Sequence, residues 1–118
     1  MPRTALLRAA WAYRAAPQYW KRYSEDRRRR ILPAPHRPNP ATWGDRGLFA
    51  AWLGHSTVLL KIDGVTILTD PVLSARVGIG LGPVTLGLKR LVEPALAASE
   101  LPHIDVILLS HAHIDHFD

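Results

Sequence analysis

Three histidines and an aspartate fall within six consecutive positions, at His111, His113, Asp115 and His116. They follow the hydrophobic run Ile104–Leu109, which predicts a buried strand. If extended chain continues past Ser110, side chains two residues apart point the same way, so His111 and His113 would bind one metal ion. Asp115 and His116 would then lie beyond the bend, where they suit a second ion. A solvated loop is the alternative, but these ligand types at the end of a strand favour a metal site.

The residue types also predict which metals the site can hold. Imidazole and carboxylate ligands favour zinc, with manganese and iron(II) as alternatives. The sequence contains no cysteine, so no thiolate is available to narrow the choice and no disulfide can form. The composition is therefore compatible with both reducing and oxidising compartments.

The pattern His-x-His-x-Asp-His at 111–116 resembles the signature of metallo-β-lactamase-fold hydrolases. Trp-Leu-Gly-His-Ser-Thr at 52–57, Leu-Thr-Asp-Pro-Val at 68–72 and Leu-Pro-His-Ile-Asp at 101–105 resemble the branch that contains N-acyl-phosphatidylethanolamine-hydrolysing phospholipase D. The resemblance covers residues 48–118. It implies an α/β fold, the N-terminal part of an αββα metallo-β-lactamase sandwich.

A dinuclear zinc hydrolase is what this resemblance implies. His111 and His113 would hold one ion. Asp115 and His116 would hold the other, and Asp115 would also orient the nucleophile as the catalytic residue. The implied activity is hydrolysis of a small-molecule or lipid phosphodiester by a metal-bound hydroxide. The alternatives are a lactonase or other acyl hydrolase on the same fold, and an inactive fragment whose basic arm binds a membrane or nucleic acid.

Two further residues take roles from the same resemblance. Asp70 would accept hydrogen bonds that support the ligand loop, outside the ligand set itself. From the residues alone, Asp70 is a turn aspartate before a proline. His55 would lie at the rim of the active site without binding metal, and a hydrogen-bonding or packing histidine is the alternative.

The length of 118 residues is short for this fold. A complete metallo-β-lactamase domain needs about twice as many residues. The family pattern also calls for a further histidine, a bridging aspartate and another histidine downstream. We therefore expect residues 47–118 to be an incomplete domain, and the chain to be an N-terminal fragment that is inactive alone.

Apolar segments predict the strands that position these residues, at 48–53, 57–62 and 65–69. Asp63-Gly64 predicts a two-residue hairpin turn between the last two. The apolar character of the strands predicts burial on both faces in a layered sandwich. Residues 73–91 hold four glycines among aliphatics, which fits either an apolar wall of the substrate cleft or a mobile surface loop. Residues 94–101 predict a short helix.

Residues 1–46 form a basic arm. They carry eleven Lys and Arg against three Asp and Glu, whereas residues 47–118 carry four against seven. A short amphipathic helix is predicted at 4–16, ended or kinked by Pro17, and a proline-rich linker at 33–40. The apolar run is too short to span a membrane, so we expect a cytoplasmic protein.

The arginine run 27–30 allows a test of the arm. A solvated arm is the favoured interpretation, contact with an anionic membrane is the alternative, and no specific nucleic acid is expected. If the run binds a membrane, each cation contributes about 1 kcal/mol. Replacing all four arginines with serine should then release the protein from anionic vesicles in a flotation assay, as should high salt. No binding by the unmutated protein at low salt would leave the solvated arm.

Overall fold

The computed structural model describes residues 17–18, 20–21, 23–26, 28–81, 84–113 and 115–116. The chain divides into two compact units, Met1–Arg30 and Ile31–Asp118, while the boundary expected after residue 46 stays a prediction. In the first unit the described residues up to 26, and residue 28, are helical. The helix predicted at 4–16 lies outside the described residues. Within the described chain, no helix combines the length and apolarity that crossing a membrane requires.

A four-stranded sheet organises the second unit. The strands of the described chain are β1 (Leu48–Gly54), β2 (Thr57–Ile62), β3 (Val65–Thr69), β4 (Arg76–Leu81), β5 (Val84–Lys89) and β6 (Val106–Leu108). The sheet has the order β1-β2-β3-β6, with antiparallel pairing through β3 and β6 parallel to β3. β4 and β5 pair separately. The three predicted strands, the antiparallel start and the mixed α/β class are confirmed.

The turn between β2 and β3 has the conformation that its sequence predicts. Asp63 and Gly64 have φ angles of 45° and 89°, as a type I′ hairpin turn requires. Ile62 pairs with Val65 across the turn. The Asp63 carboxylate also accepts a hydrogen bond from the backbone N–H of Gly47 at 2.8 Å. The turn therefore fixes both the register of β2 with β3 and the start of β1.

The core lies on one face of the sheet. Its buried cluster consists of Leu53, Leu59, Leu68, Ala95 and Leu96. The other face of β1 is open, because Leu48 and Trp52 are 67% and 64% exposed. Burial on both faces, as the apolar strands predict, is therefore wrong for β1 in the described chain: its residues alternate between the core and the open face.

The strand predicted to be buried at 104–109 is exposed instead. β6 spans Val106–Leu108, and its three residues are 39%, 56% and 51% exposed. Among the described elements β6 packs against β3 alone, and it lies at the edge of the sheet. Its hydrophobic sequence therefore reflects a strand whose faces no other described element covers.

Residues 73–91 contain the hairpin β4–β5 in place of an irregular loop, and the choice between a cleft wall and a mobile surface segment stays a prediction. Residues 94–101 hold one turn of 3-10 helix, Ala98–Glu100, in place of the predicted helix. The difference has a physical reason: Ala95 and Leu96 are buried in the core at a bend, and the Ala95 N–H donates to the Leu53 carbonyl at 2.9 Å, so this backbone is bonded to β1 and not to a helical turn.

The proline-rich segment 33–40 is part of the second unit. Leu32 donates its N–H to the Leu91 carbonyl at 2.9 Å and accepts from the Glu93 N–H at 2.8 Å. Arg37 donates to both carboxylate oxygens of Glu100, at 2.6 and 2.7 Å. Leu32 and Arg37 thus join this segment to residues 91–93 and to the 3-10 turn at Ala98–Glu100.

Substitution of two leucines tests the sidedness of the sheet. Leu59 is fully buried and Leu48 is 67% exposed. Leu59→Ala leaves a cavity and should lower the free energy of unfolding by about 2–5 kcal/mol. The control Leu48→Ala should change it by about 0.5 kcal/mol or less. Urea denaturation measures both, and equal losses would contradict the one-sided core.

Candidate metal centre

Asp70 ends β3 and joins it to the loop that follows β6. Its carboxylate accepts hydrogen bonds from the backbone N–H of Ser110 at 2.7 Å and from the Ser110 hydroxyl at 2.8 Å. Its own N–H donates to the Leu108 carbonyl at 2.9 Å. Asp70 has a φ of 37°, a left-handed conformation that aspartate tolerates better than most residues. This conformation turns the chain at the strand end while the side chain binds the neighbouring loop.

The Asp70 carboxylate is ionised at neutral pH. The hydrogen bonds from Ser110, first from its backbone and then from its side chain, act with His116 to lower the pKa of Asp70 to about 2 against the opposing effect of burial. An ionised carboxylate only accepts hydrogen bonds. The pair between Asp70 Oδ2 and His116 Nδ1, at 3.1 Å, therefore requires that Nδ1 of His116 carry the proton.

This pairing leaves the other nitrogen of His116 as a lone-pair donor. A carboxylate that accepts from the far nitrogen of a ligand histidine fixes its tautomer and ring orientation in metal sites. His116 Nε2 lies 3.7 Å from Asp115 Oδ2, and Asp115 Oδ2 lies 3.6 Å from His55 Nε2. The donor atoms of these three residues lie within 4.8 Å of one another. The structure therefore brings one carboxylate and two imidazoles together at a spacing that a metal ion can bridge.

The other two predicted ligands lie beside this group. The rings of His111 and His116 have centroids 4.0 Å apart, and those of His111 and His113 are 4.6 Å apart in a T-shaped arrangement. Both His111 and His113 are exposed. β6 ends at Leu108, so His111 and His113 follow the strand and do not belong to it. Their imidazoles lie side by side, and the extended backbone expected past Ser110 stays a prediction.

Asp115 is also held in its charged form. A hydrogen bond from its own backbone N–H and the neighbouring His116, His55 and His113 keep the pKa of the Asp115 carboxyl below its usual range. The donor set of this loop and the β1–β2 turn thus comprises four imidazoles and an ionised carboxylate, without thiolate. This chemistry fits zinc and also accommodates manganese or iron(II).

Ser110 is a site residue that the sequence analysis missed. Its hydroxyl lies 2.8 Å from Asp70 Oδ2 and 2.9 Å from Nδ1 of His111. It thus links the supporting carboxylate to the first predicted ligand. A serine at a strand end is common in loops, so its type carries little signal, but its position directly before the histidine pattern could have indicated the role.

Comparison with known proteins adds independent information on the same segment. Residues 50–118 match the family described as beta-lactamase superfamily domain. The chain is 42% identical over 74 residues to N-acyl-phosphatidylethanolamine-hydrolyzing phospholipase D 1 of Caenorhabditis elegans, which covers 63% of this chain and 20% of that protein. It is 39% identical over 71 residues to the mitochondrial N-acyl-phosphatidylethanolamine-hydrolyzing phospholipase D of Saccharomyces cerevisiae, covering 60% and 14%.

A third relative is a metal-dependent hydrolase from Exiguobacterium, 34% identical over 67 residues, covering 57% of this chain and 23% of the relative. The chain thus spans a quarter or less of the length of these three relatives. The family match at residues 50–118 takes in most of the sheet and the histidine loop described above.

The role of Asp70 is tested by Asp70→Asn, which keeps a residue that tolerates positive φ. The asparagine amide can donate to Nδ1 of His116 and so place the proton on Nε2, where it blocks metal binding. Metal affinity should fall about 10- to 100-fold, measured by competition with a chromophoric chelator. Asp63→Asn is the matched control. Asp63 also has positive φ, but its carboxylate accepts a hydrogen bond from the Gly47 N–H and not from the histidine loop. Equal affinities of the two variants would reduce Asp70 to a turn residue.

Proposed function

The chain belongs to the beta-lactamase superfamily, and we propose that the protein is a zinc-dependent phosphodiesterase that acts on lipid substrates. The observation that carries the proposal is the hydrogen bond between the Asp70 carboxylate and Nδ1 of His116, at 3.1 Å. This bond leaves the other ring nitrogen of His116, Nε2, facing Asp115. Metal sites orient their ligand histidines in this way. A histidine in a solvated loop has no need of a nearly buried carboxylate partner.

Each residue of the loop has a proposed role. His111 and His113 would hold one ion. Asp115 and His116 would hold the second, and Asp115 would also orient the nucleophile. When bound, zinc lowers the pKa of a water ligand to about 7 and so supplies a nucleophile at neutral pH. Asp70 and Ser110 fix the loop, so that the ligands are positioned before metal binds.

A cavity beside the site supports an apolar substrate. It has a volume of about 740 Å³ and reaches His55 and Asp115. Apolar side chains form much of its lining, among them Trp52, Leu53, Val77, Leu88 and Leu91. This volume is in the range of pockets that enclose small ligands. An acyl chain in the cavity would bring the polar end of a lipid to the carboxylate and imidazoles. In this proposal residues of β4 and β5, which line the cavity, form a wall of the substrate cleft, the first of the two alternatives for 73–91.

The names of two relatives favour a lipid phosphodiester as the substrate, since both are called N-acyl-phosphatidylethanolamine-hydrolyzing phospholipase D. A lactonase is the second candidate, because the same apolar cavity at Asp115 would accept the acyl chain of a lactone. The two differ in the bond that is hydrolysed, and a substrate comparison separates them.

The metal ligands are tested in the intact gene product. His111→Ala and His113→Ala each delete an imidazole donor from a site with few to spare, so each should lose about one equivalent of zinc and abolish hydrolysis. His103→Ala removes an exposed histidine outside the loop and serves as the control. Zinc content is measured on the purified variants. Undiminished zinc in the first two would mean that they are ordinary loop residues.

Substrate class is tested with the same protein. Hydrolysis of N-acyl-phosphatidylethanolamine and of bis(p-nitrophenyl) phosphate should exceed that of a long-chain lactone, and a chelator should abolish all three activities. Preference for the lactone would favour the second candidate. Chelator-resistant hydrolysis would contradict a metal-dependent mechanism in either form.

A further inference from the structure

The turn between β1 and β2 holds His55 in an uncommon conformation. His55 has a φ of 52°, a left-handed value that few non-glycine residues adopt. The register of β1 with β2 is interrupted between Trp52 and Gly54, and such irregularities often redirect a side chain beside a functional site. The Trp52 indole N–H donates to the His55 carbonyl at 2.7 Å. The turn thus has a defined geometry that presents this histidine.

The same turn meets the histidine loop. Ser56 Oγ donates to the Asp115 carbonyl at 3.4 Å. The His55 and His116 rings have centroids 5.9 Å apart. The hydrogen bond joins residues that are 59 positions apart in sequence. The placement of His55 against the loop therefore comes from tertiary structure and not from the histidine pattern itself.

The nitrogen–oxygen distances around the Asp115 carboxylate fit atoms that share one metal ion better than they fit hydrogen bonds. His55 Nε2 and His116 Nε2 lie 3.6 Å and 3.7 Å from the same oxygen, Asp115 Oδ2. Both separations exceed a hydrogen bond between nitrogen and oxygen. Donors bound to one tetrahedral zinc at about 2.0–2.2 Å are themselves about 3.3–3.5 Å apart. Two imidazole nitrogens thus flank one carboxylate oxygen at nearly equal distances close to that value.

We propose that His55 is a ligand of the ion held by Asp115 and His116, so that the β1–β2 turn supplies a third donor from outside the histidine loop. This inference rests on the metal site of the proposed function, but adds a residue to which the resemblance gives no ligand role. Packing does not account for His55, because its side chain is 41% exposed and it faces the cavity.

Cobalt titration of the intact gene product tests the assignment, since the visible spectrum of Co²⁺ reports the number and type of its ligands. In His55→Gly, where glycine suits the left-handed backbone, the affinity for one cobalt equivalent should fall by at least about 10-fold and the visible bands of that equivalent should change. His116→Ala should affect the same equivalent. Added imidazole should restore the spectrum of His55→Gly, which a structural role would not permit.

His103→Ala is the matched control, because His103 Nε2 also lies 3.6 Å from a carboxylate oxygen, that of Asp105, yet has no second imidazole there among the described residues. Its titration should match that of the unmutated protein. If His55→Gly binds both equivalents normally while His116→Ala does not, the assignment of His55 is wrong and the proposed function stands. If the unmutated protein binds no cobalt, the assignment is also overturned, and hydrolysis measured with zinc then decides the proposed function separately.

Discussion

The Asp70 carboxylate accepts two hydrogen bonds from Ser110 and one from His116, and the position of the histidine loop on the sheet depends on these bonds. They are strong because the acceptor is charged and the Asp70 side chain is only 11% exposed. The backbone of Asp70 is bonded in turn to Leu108 and to the buried hydroxyl of Thr57. The histidine loop is therefore connected through Asp70 to β2, β3 and β6.

Backbone strain in the described chain is concentrated where the strands end. Three non-glycine residues there have positive φ: His55, Asp63 and Asp70. Asp63 belongs to a hairpin turn that requires this geometry. His55 and Asp70 face the histidine loop from two different turns, and strained residues are often kept where function needs a fixed side chain. Gly54, beside His55, has a φ of 110°, and a Cβ there would meet the guanidinium of the buried Arg90. Arg90 thus packs against one side of the turn, and the other side faces the histidine loop.

The parts of this structure that the sequence could predict are those set by local chemistry. Runs of apolar residues and the Asp63-Gly64 turn predict β2 and β3 with their register, and the histidine pattern identifies the loop. The exposure of Ile107 in β6 could not be predicted, because burial depends on what lies over a strand. The strands of the β4–β5 hairpin could not be predicted, because their glycines interrupt the apolar pattern. Gly87 allows close backbone pairing, since a Cβ there would collide with the backbone of Val77 and Gly78. The meeting of His55 with Asp115 depends on a turn and a loop far apart in sequence.

The parallel pairing of β3 with β6 has a consequence for the order of folding. β1, β2 and β3 are joined by two-residue turns, so their contacts form with little loss of chain entropy. Asp70 and Ser110 are 40 positions apart, and closing that loop costs more entropy before any contact is gained. We therefore expect the β1–β3 meander to form early and β6 to dock late. The histidine loop follows β6 directly, so we expect this loop to reach its place on the sheet only after β6 has docked.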